Sequence, residues 1–91
     1  MAGTLFVVGT PIGNLGDMSP RAVQAMAQCD FIAAEDTRVT LKLLNHFDIK
    51  KPMVSYYEHN RAQKGSLILD RIISGENCVL VTDAGMPAIS D

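Results

Sequence analysis

Two carboxylates, a hydroxyl and a guanidinium follow one another at Glu35-Asp36-Thr37-Arg38. A carboxylate beside a hydroxyl substrate can accept its proton, and a guanidinium can hold a phosphate through two parallel hydrogen bonds. The same residues can also cap a helix and pair among themselves without any substrate. Arg38 and Lys42 are four apart, so on a helix they share one face. A second segment, Gly9-Thr10-Pro11-Ile12-Gly13-Asn14-Leu15-Gly16-Asp17, is rich in the glycine that lets backbone turn tightly beside a ligand. It has no Gly-Lys-Ser/Thr, and its glycines are not spaced G-x-G-x-x-G, so neither the P-loop nor the dinucleotide fingerprint is present. A third segment, Thr82 to Asp91, mixes small residues, Gly85 and Pro87 with two acids, and a fourth, Tyr57-Glu58-His59-Asn60, places His59 after an apolar run. No His, Cys, Asp or Glu cluster has metal-ligand spacing.

The elements that must position these segments read from the apolar pattern. Thr4–Gly9, Phe31–Ala34, Met53–Tyr57 and Cys78–Val81 are short apolar runs, expected as strands buried on both faces. Ser19-Pro20 marks a helix start, with Ala22, Val23, Met26, Ala27 and Cys29 as its apolar stripe. Asp36 or Thr37 caps a second helix carrying Val39, Leu43, Leu44 and Phe47, and Pro52 stops it. Asn60 with Gln63 has capping-box spacing, Leu69, Ile72 and Ile73 form the inward face of a third helix, and Gly75 closes it. The order βαβαβαβ predicts an α/β fold, a mostly parallel sheet with helices on both faces. All four chemical segments then fall at the carboxyl ends of strands, where open parallel sheets bind ligands.

Composition narrows the class. The chain has 91 residues, 47% hydrophobic and 20% charged, with net charge −2. It is one small domain, 1–91, and its apolar content excludes disorder. No apolar run reaches the roughly 18 residues of a membrane span, and no basic segment precedes the first apolar run. Seven of the eight basic residues lie between Arg38 and Arg71 against three acids, so the middle of the chain is basic and the flanks acidic. A basic middle can face a polyanion, although a pI near 5.5 disfavours a stand-alone nucleic-acid binder. Cys29 and Cys78 lie far apart and are expected as buried, reduced thiols. The chain stops in a loop after its fourth strand, and is expected to be a fragment of a longer protein.

Together "GTPIGNLGDMSPRAVQAMAQCDFIAAEDTR", "LLNHF", "SYYEHN" and "VLVTDAGMPAISD" resemble the N-terminal domain of the ribosomal-RNA branch of the tetrapyrrole (corrin/porphyrin) methylases, the class III S-adenosylmethionine-dependent fold. The resemblance implies a two-domain enzyme, cytoplasmic and homodimeric, whose cofactor S-adenosylmethionine binds between the domains. Its implied reaction is methylation of the 2′-hydroxyl of a cytidine in small-subunit ribosomal RNA. It implies cofactor contacts from Pro11 and Gly13 in the first loop and from Asp83, Ala84, Gly85, Pro87 and Ile89 in the fourth. Glu35 and Asp36 become the expected catalytic carboxylates, and Arg38, Lys42 and His59 the expected RNA contacts. Met86 stands where the ribosomal branch more often has Thr. Two alternatives remain open: a small-molecule methylase of the tetrapyrrole type, and a non-catalytic nucleotide- or RNA-binding domain.

Overall fold

The computed structural model describes residues 1–10, 18–57 and 60–82. Its elements run β1 (Leu5–Gly9), α1 (Pro20–Gln28), β2 (Phe31–Ala34), α2 (Thr37–His46), β3 (Met53–Ser55), α3 (Arg61–Ile73) and β4 (Cys78–Thr82). The four strands form one parallel sheet in the order β1-β4-β2-β3. The expected α/β architecture is therefore the one observed. β4, last of the described strands in sequence, inserts between β1 and β2, and β2 beside it is buried along its whole length. Its register pairs Gly9 with Thr82, and Ala34 with both Val81 and Ser55. The carboxyl ends of all four strands thus lie along one edge.

Side-chain alternation along the strands decides which helix covers which face. Val8, Ile32, Val79 and Val81 point to one face, where Ala22 and Met26 of α1 and Leu43 and Leu44 of α2 cover them. Phe31, Ala33 and Cys78 point to the other, under Ile68 of α3 with Ile72 and Tyr56 beside it. Phe31, Ile32 and Met26 are fully buried, and burying side chains of this size contributes about 1.5–3 kcal/mol each. Both cysteines are free and buried, as expected.

Several local expectations are corrected. β1 is not fully covered on its α3 side: Leu5 and Val7 are 49% and 47% exposed there. The inward residue of α3 is Ile68, with Ile72 partly buried, whereas Leu69 and Ile73 are 56% and 60% exposed. The helix is rotated so that Gly65 faces the ring of Tyr56. Ala27 is exposed and Ala25 packs on the core in its place. β1 begins at Leu5 and β3 ends at Ser55, both shorter than the apolar runs.

The helix ends follow local chemistry. Ser19 caps α1, its Oγ accepting from the Ala22 amide at 3.1 Å, with Pro20 in the first turn. Asp36 caps α2, its Oδ1 accepting from the Arg38 and Val39 amides at 3.0 and 3.3 Å. Asn60 makes no side-chain cap on α3, contrary to expectation. Its Oδ1 accepts from the Tyr57 amide and its Nδ2 donates to Ser55, so the side chain closes the turn out of β3 instead. The ends of α2 and α3 share one motif: Ile49 N–H bonds the Leu44 carbonyl and Asp48 N–H that of Asn45, while Glu76 and Gly75 bond Arg71 and Ile72 likewise. Each motif needs a left-handed residue, supplied by Asp48 at φ 56° and by Gly75 at φ 115°. Beyond Gly75, Glu76 takes Arg71 in a forked ion pair at 2.7–3.2 Å, and the Arg71 guanidinium lies 3.8 Å over the Phe31 ring.

Candidate functional site

The connection leaving β2 goes to the α1/α2 face, and the one leaving β3 goes to the α3 face. Adjacent strands whose connections part in this way open a crevice outside their carboxyl ends, the place where open parallel sheets take ligands. Glu35 sits at this point, directly after β2. Its Oε1 accepts a hydrogen bond from the Thr82 hydroxyl at the end of β4, at 2.7 Å. Its Oε2 faces the Arg61 guanidinium at the start of α3, at 3.5 Å. Arg61 also lies 5.8 Å from the centre of the Tyr56 ring. The Glu35 side chain is 21% exposed and that of Arg61 53%, so the pair is open to an approaching polar ligand.

Thr82 is held from its other side as well. Its carbonyl accepts from the Thr10 amide at 2.9 Å and from the Thr10 hydroxyl at 3.3 Å. Thr10 is buried and stands where the chain leaves β1. The edge therefore carries one connected chain of contacts, Thr10 to Thr82 to Glu35 to Arg61, joining the exits of β1, β4 and β2 to the entry of α3.

The expected site residues separate on this frame. Glu35 and Asp36 are neighbours at the edge but face different tasks. Asp36 holds the first turn of α2 through Oδ1, and its Oδ2 accepts no hydrogen bond among the described residues. Arg38 and Lys42 are both exposed on α2, one turn apart, and Arg38 makes no ion pair with Glu35 or Asp36. The partner of Glu35 is Arg61, which spacing did not single out: the two are far apart in sequence and meet only because β3 lies beside β2. Thr10 and Thr82 were visible only as the first residues of loops. Pro11, Gly13, His59, Asp83, Ala84, Gly85, Pro87 and Ile89 lie outside the described residues. Among the described residues no group of three or more metal-ligating side chains converges.

A ligand approaching this edge would meet the Thr10 and Thr82 hydroxyls and the Glu35 carboxylate, each already engaged, with the Arg61 guanidinium exposed beside them.

Comparison with known proteins covers nearly the whole chain. A family model described as Tetrapyrrole (Corrin/Porphyrin) Methylases matches residues 4–91. Three curated relatives, each named Ribosomal RNA small subunit methyltransferase I, are highly similar. The protein of Halalkalibacterium halodurans is 57% identical over 89 residues, 98% of this chain and 31% of its own length. That of Synechocystis sp. is 55% identical over 98% of this chain and 32% of its own length. That of Pseudomonas aeruginosa is 49% identical over 99% of this chain and 32% of its own. The chain thus spans about a third of the length of these relatives.

Proposed function

This chain belongs to the tetrapyrrole (corrin/porphyrin) methylase family, and on that premise we propose that it is the N-terminal part of an S-adenosylmethionine-dependent methyltransferase acting on small-subunit ribosomal RNA. The observation that carries the reading is the 57% identity to a relative bearing that name, sustained over 98% of the chain. The exposed basic residues Arg38, Lys42 and Arg61 suit a polyanionic acceptor such as an RNA backbone.

The proposed acceptor atom is the 2′-oxygen of a cytidine ribose. When bound, S-adenosylmethionine would supply its sulfonium methyl group to the ribose oxygen, the electron pair of the broken carbon–sulfur bond staying on sulfur. Pro11 and Gly13 of the first loop, and Asp83, Ala84, Gly85, Pro87 and Ile89 of the fourth, are the residues proposed to hold the cofactor. The protein's contribution is mainly alignment, since the electrophile is already reactive. One proton leaves the hydroxyl. Of the two carboxylates proposed for catalysis, Asp36 takes it through Oδ2, while both oxygens of Glu35 are engaged by Thr82 and Arg61. Arg38 and Lys42, exposed on the first turns of α2, are proposed to hold RNA phosphates, and His59 is proposed as a further RNA contact. A homodimer in the cytoplasm is the proposed setting.

The acceptor class is tested by offering the full-length protein methyl-labelled S-adenosylmethionine together with either small ribosomal subunits lacking native methylation or a porphyrin precursor. Label in the RNA alone is expected. Label in the porphyrin alone would turn the reading to the small-molecule branch, and cofactor-independent RNA binding with no transfer would make the domain a docking module.

A further inference from the structure

We propose that Glu35, Thr82 and Arg61 are positioning residues, which set the roots of the two cofactor loops relative to each other, and that Glu35 acts through Thr82 and not on the reacting hydroxyl. The proposal rests on the methyltransferase reading.

The geometry is unusually converged for a surface edge. Thr82 is the last residue of β4 before the segment 83–91, and Thr10 the last described residue before the segment 11–17. Their roots are tied directly, by the two hydrogen bonds from Thr10 to the Thr82 carbonyl. The Thr82 hydroxyl then donates to the Glu35 carboxylate at 2.7 Å, the short length of a charge-assisted bond. The Glu35 amide in turn donates to the Val81 carbonyl at 3.2 Å, so residue 35 grips the end of β4 through backbone and side chain together. Arg61 occupies the remaining carboxylate oxygen and is itself laid against Tyr56.

An ion pair this exposed contributes little to stability. What it does is fix direction. The carboxylate cannot rotate away from Thr82 without leaving Arg61, and Thr82 is held at its hydroxyl by Glu35 and at its carbonyl by Thr10. A carboxylate with both oxygens engaged is badly placed to collect a proton, but well placed to hold two loop roots in register. Two loop roots held in register leave less to be ordered when the cofactor binds, so a brace at this position has a function that its stability contribution does not reveal.

The test uses the full-length protein, with S-adenosylmethionine affinity from calorimetry and steady-state methyl transfer to small subunits. Thr82→Val, which keeps shape and removes the hydroxyl, is expected to weaken cofactor binding about tenfold, and Thr82→Ser to restore it to within about threefold of wild type. Glu35→Ala is expected to match Thr82→Val. The double variant is expected to lose about tenfold in all, not the roughly hundredfold of independent sites. The lost rate should return at saturating cofactor. Unchanged affinity in Thr82→Val or in Glu35→Ala overturns the proposal. So does a Glu35→Ala variant that keeps its cofactor affinity but loses turnover and the acidic limb of its pH profile, because that variant would mark Glu35 as the base. Should Thr82→Val fail to fold, Glu35→Ala alone decides between these results. A wild-type protein that neither binds S-adenosylmethionine nor methylates RNA defeats the methyltransferase reading itself, and the brace with it.

Discussion

Arg38 is the residue at which two physical accounts part most cleanly. It follows two carboxylates, and a local ion pair would absorb it, yet it is exposed and pairs with neither. Glu35 turns instead to Arg61, which leaves the Arg38 guanidinium beside Lys42 at the start of a helix. If these cations hold phosphate, Arg38→Ala in the full-length protein lowers the slope of log affinity for small-subunit RNA against log salt by about 1, with cofactor affinity unchanged. An unaltered slope would remove Arg38 from the RNA side. The candidate carboxylates were legible in the sequence because they directly follow a strand. Their division of labour was not, since it depends on which strand lies next to β2. The order β1-β4-β2-β3 brings Thr82 and Arg61 to Glu35 from positions 47 and 26 residues away, and no local pattern encodes such a meeting.

At the scale of elements, the helix ends and faces make two checkable statements. Asp48 occupies a left-handed conformation, at φ 56°, to close α2, where glycine pays no steric penalty. Asp48→Gly is expected to stabilise the chain by about 0.5–1 kcal/mol in urea unfolding, while Gly75→Ala, at φ 115°, is expected to destabilise it by about 1 kcal/mol or more. The face of α3 gives the second. Ile68→Ala should cost about 2–5 kcal/mol, whereas Leu69→Ser in the 91-residue chain should stay within about 0.5 kcal/mol. Equal costs would contradict the observed rotation of the helix. Strand and helix order, the Ser19 and Asp36 caps and the Gly75 stop could all be read from residue types. The inward face of α3 could not, because Ile68, Leu69, Ile72 and Ile73 fit two neighbouring stripes and only the contact of Gly65 with Tyr56 selects one. The continuous apolar run of β1 likewise predicted two covered faces, but Leu5 and Val7 stay half-exposed on the α3 side.

The whole molecule joins a sheet covered fully on one face to an apolar strip on the other, at Leu5, Val7, Leu69 and Ile73. Its two buried thiols are expected to make the core sensitive to alkali. Burial pushes the Cys78 thiol up to about 11 from its ordinary 9.0, and pushes Cys29 upward too. Folding therefore favours the neutral thiol, a contribution intact below pH 9 and lost as pH rises towards 11. The melting temperature is expected to fall across that interval, and to fall less steeply in Cys78→Ala even though that variant is less stable at neutral pH. Above this framework stands the claim that the carboxyl edge serves methyl transfer to a ribose oxygen. The most direct measurement is nucleoside mass spectrometry of small-subunit RNA after incubation of unmethylated subunits with the full-length protein and S-adenosylmethionine. The account predicts a single new 2′-O-methylcytidine, absent when the cofactor is left out. A methyl group on a base, or no methyl group in the RNA at all, would contradict it.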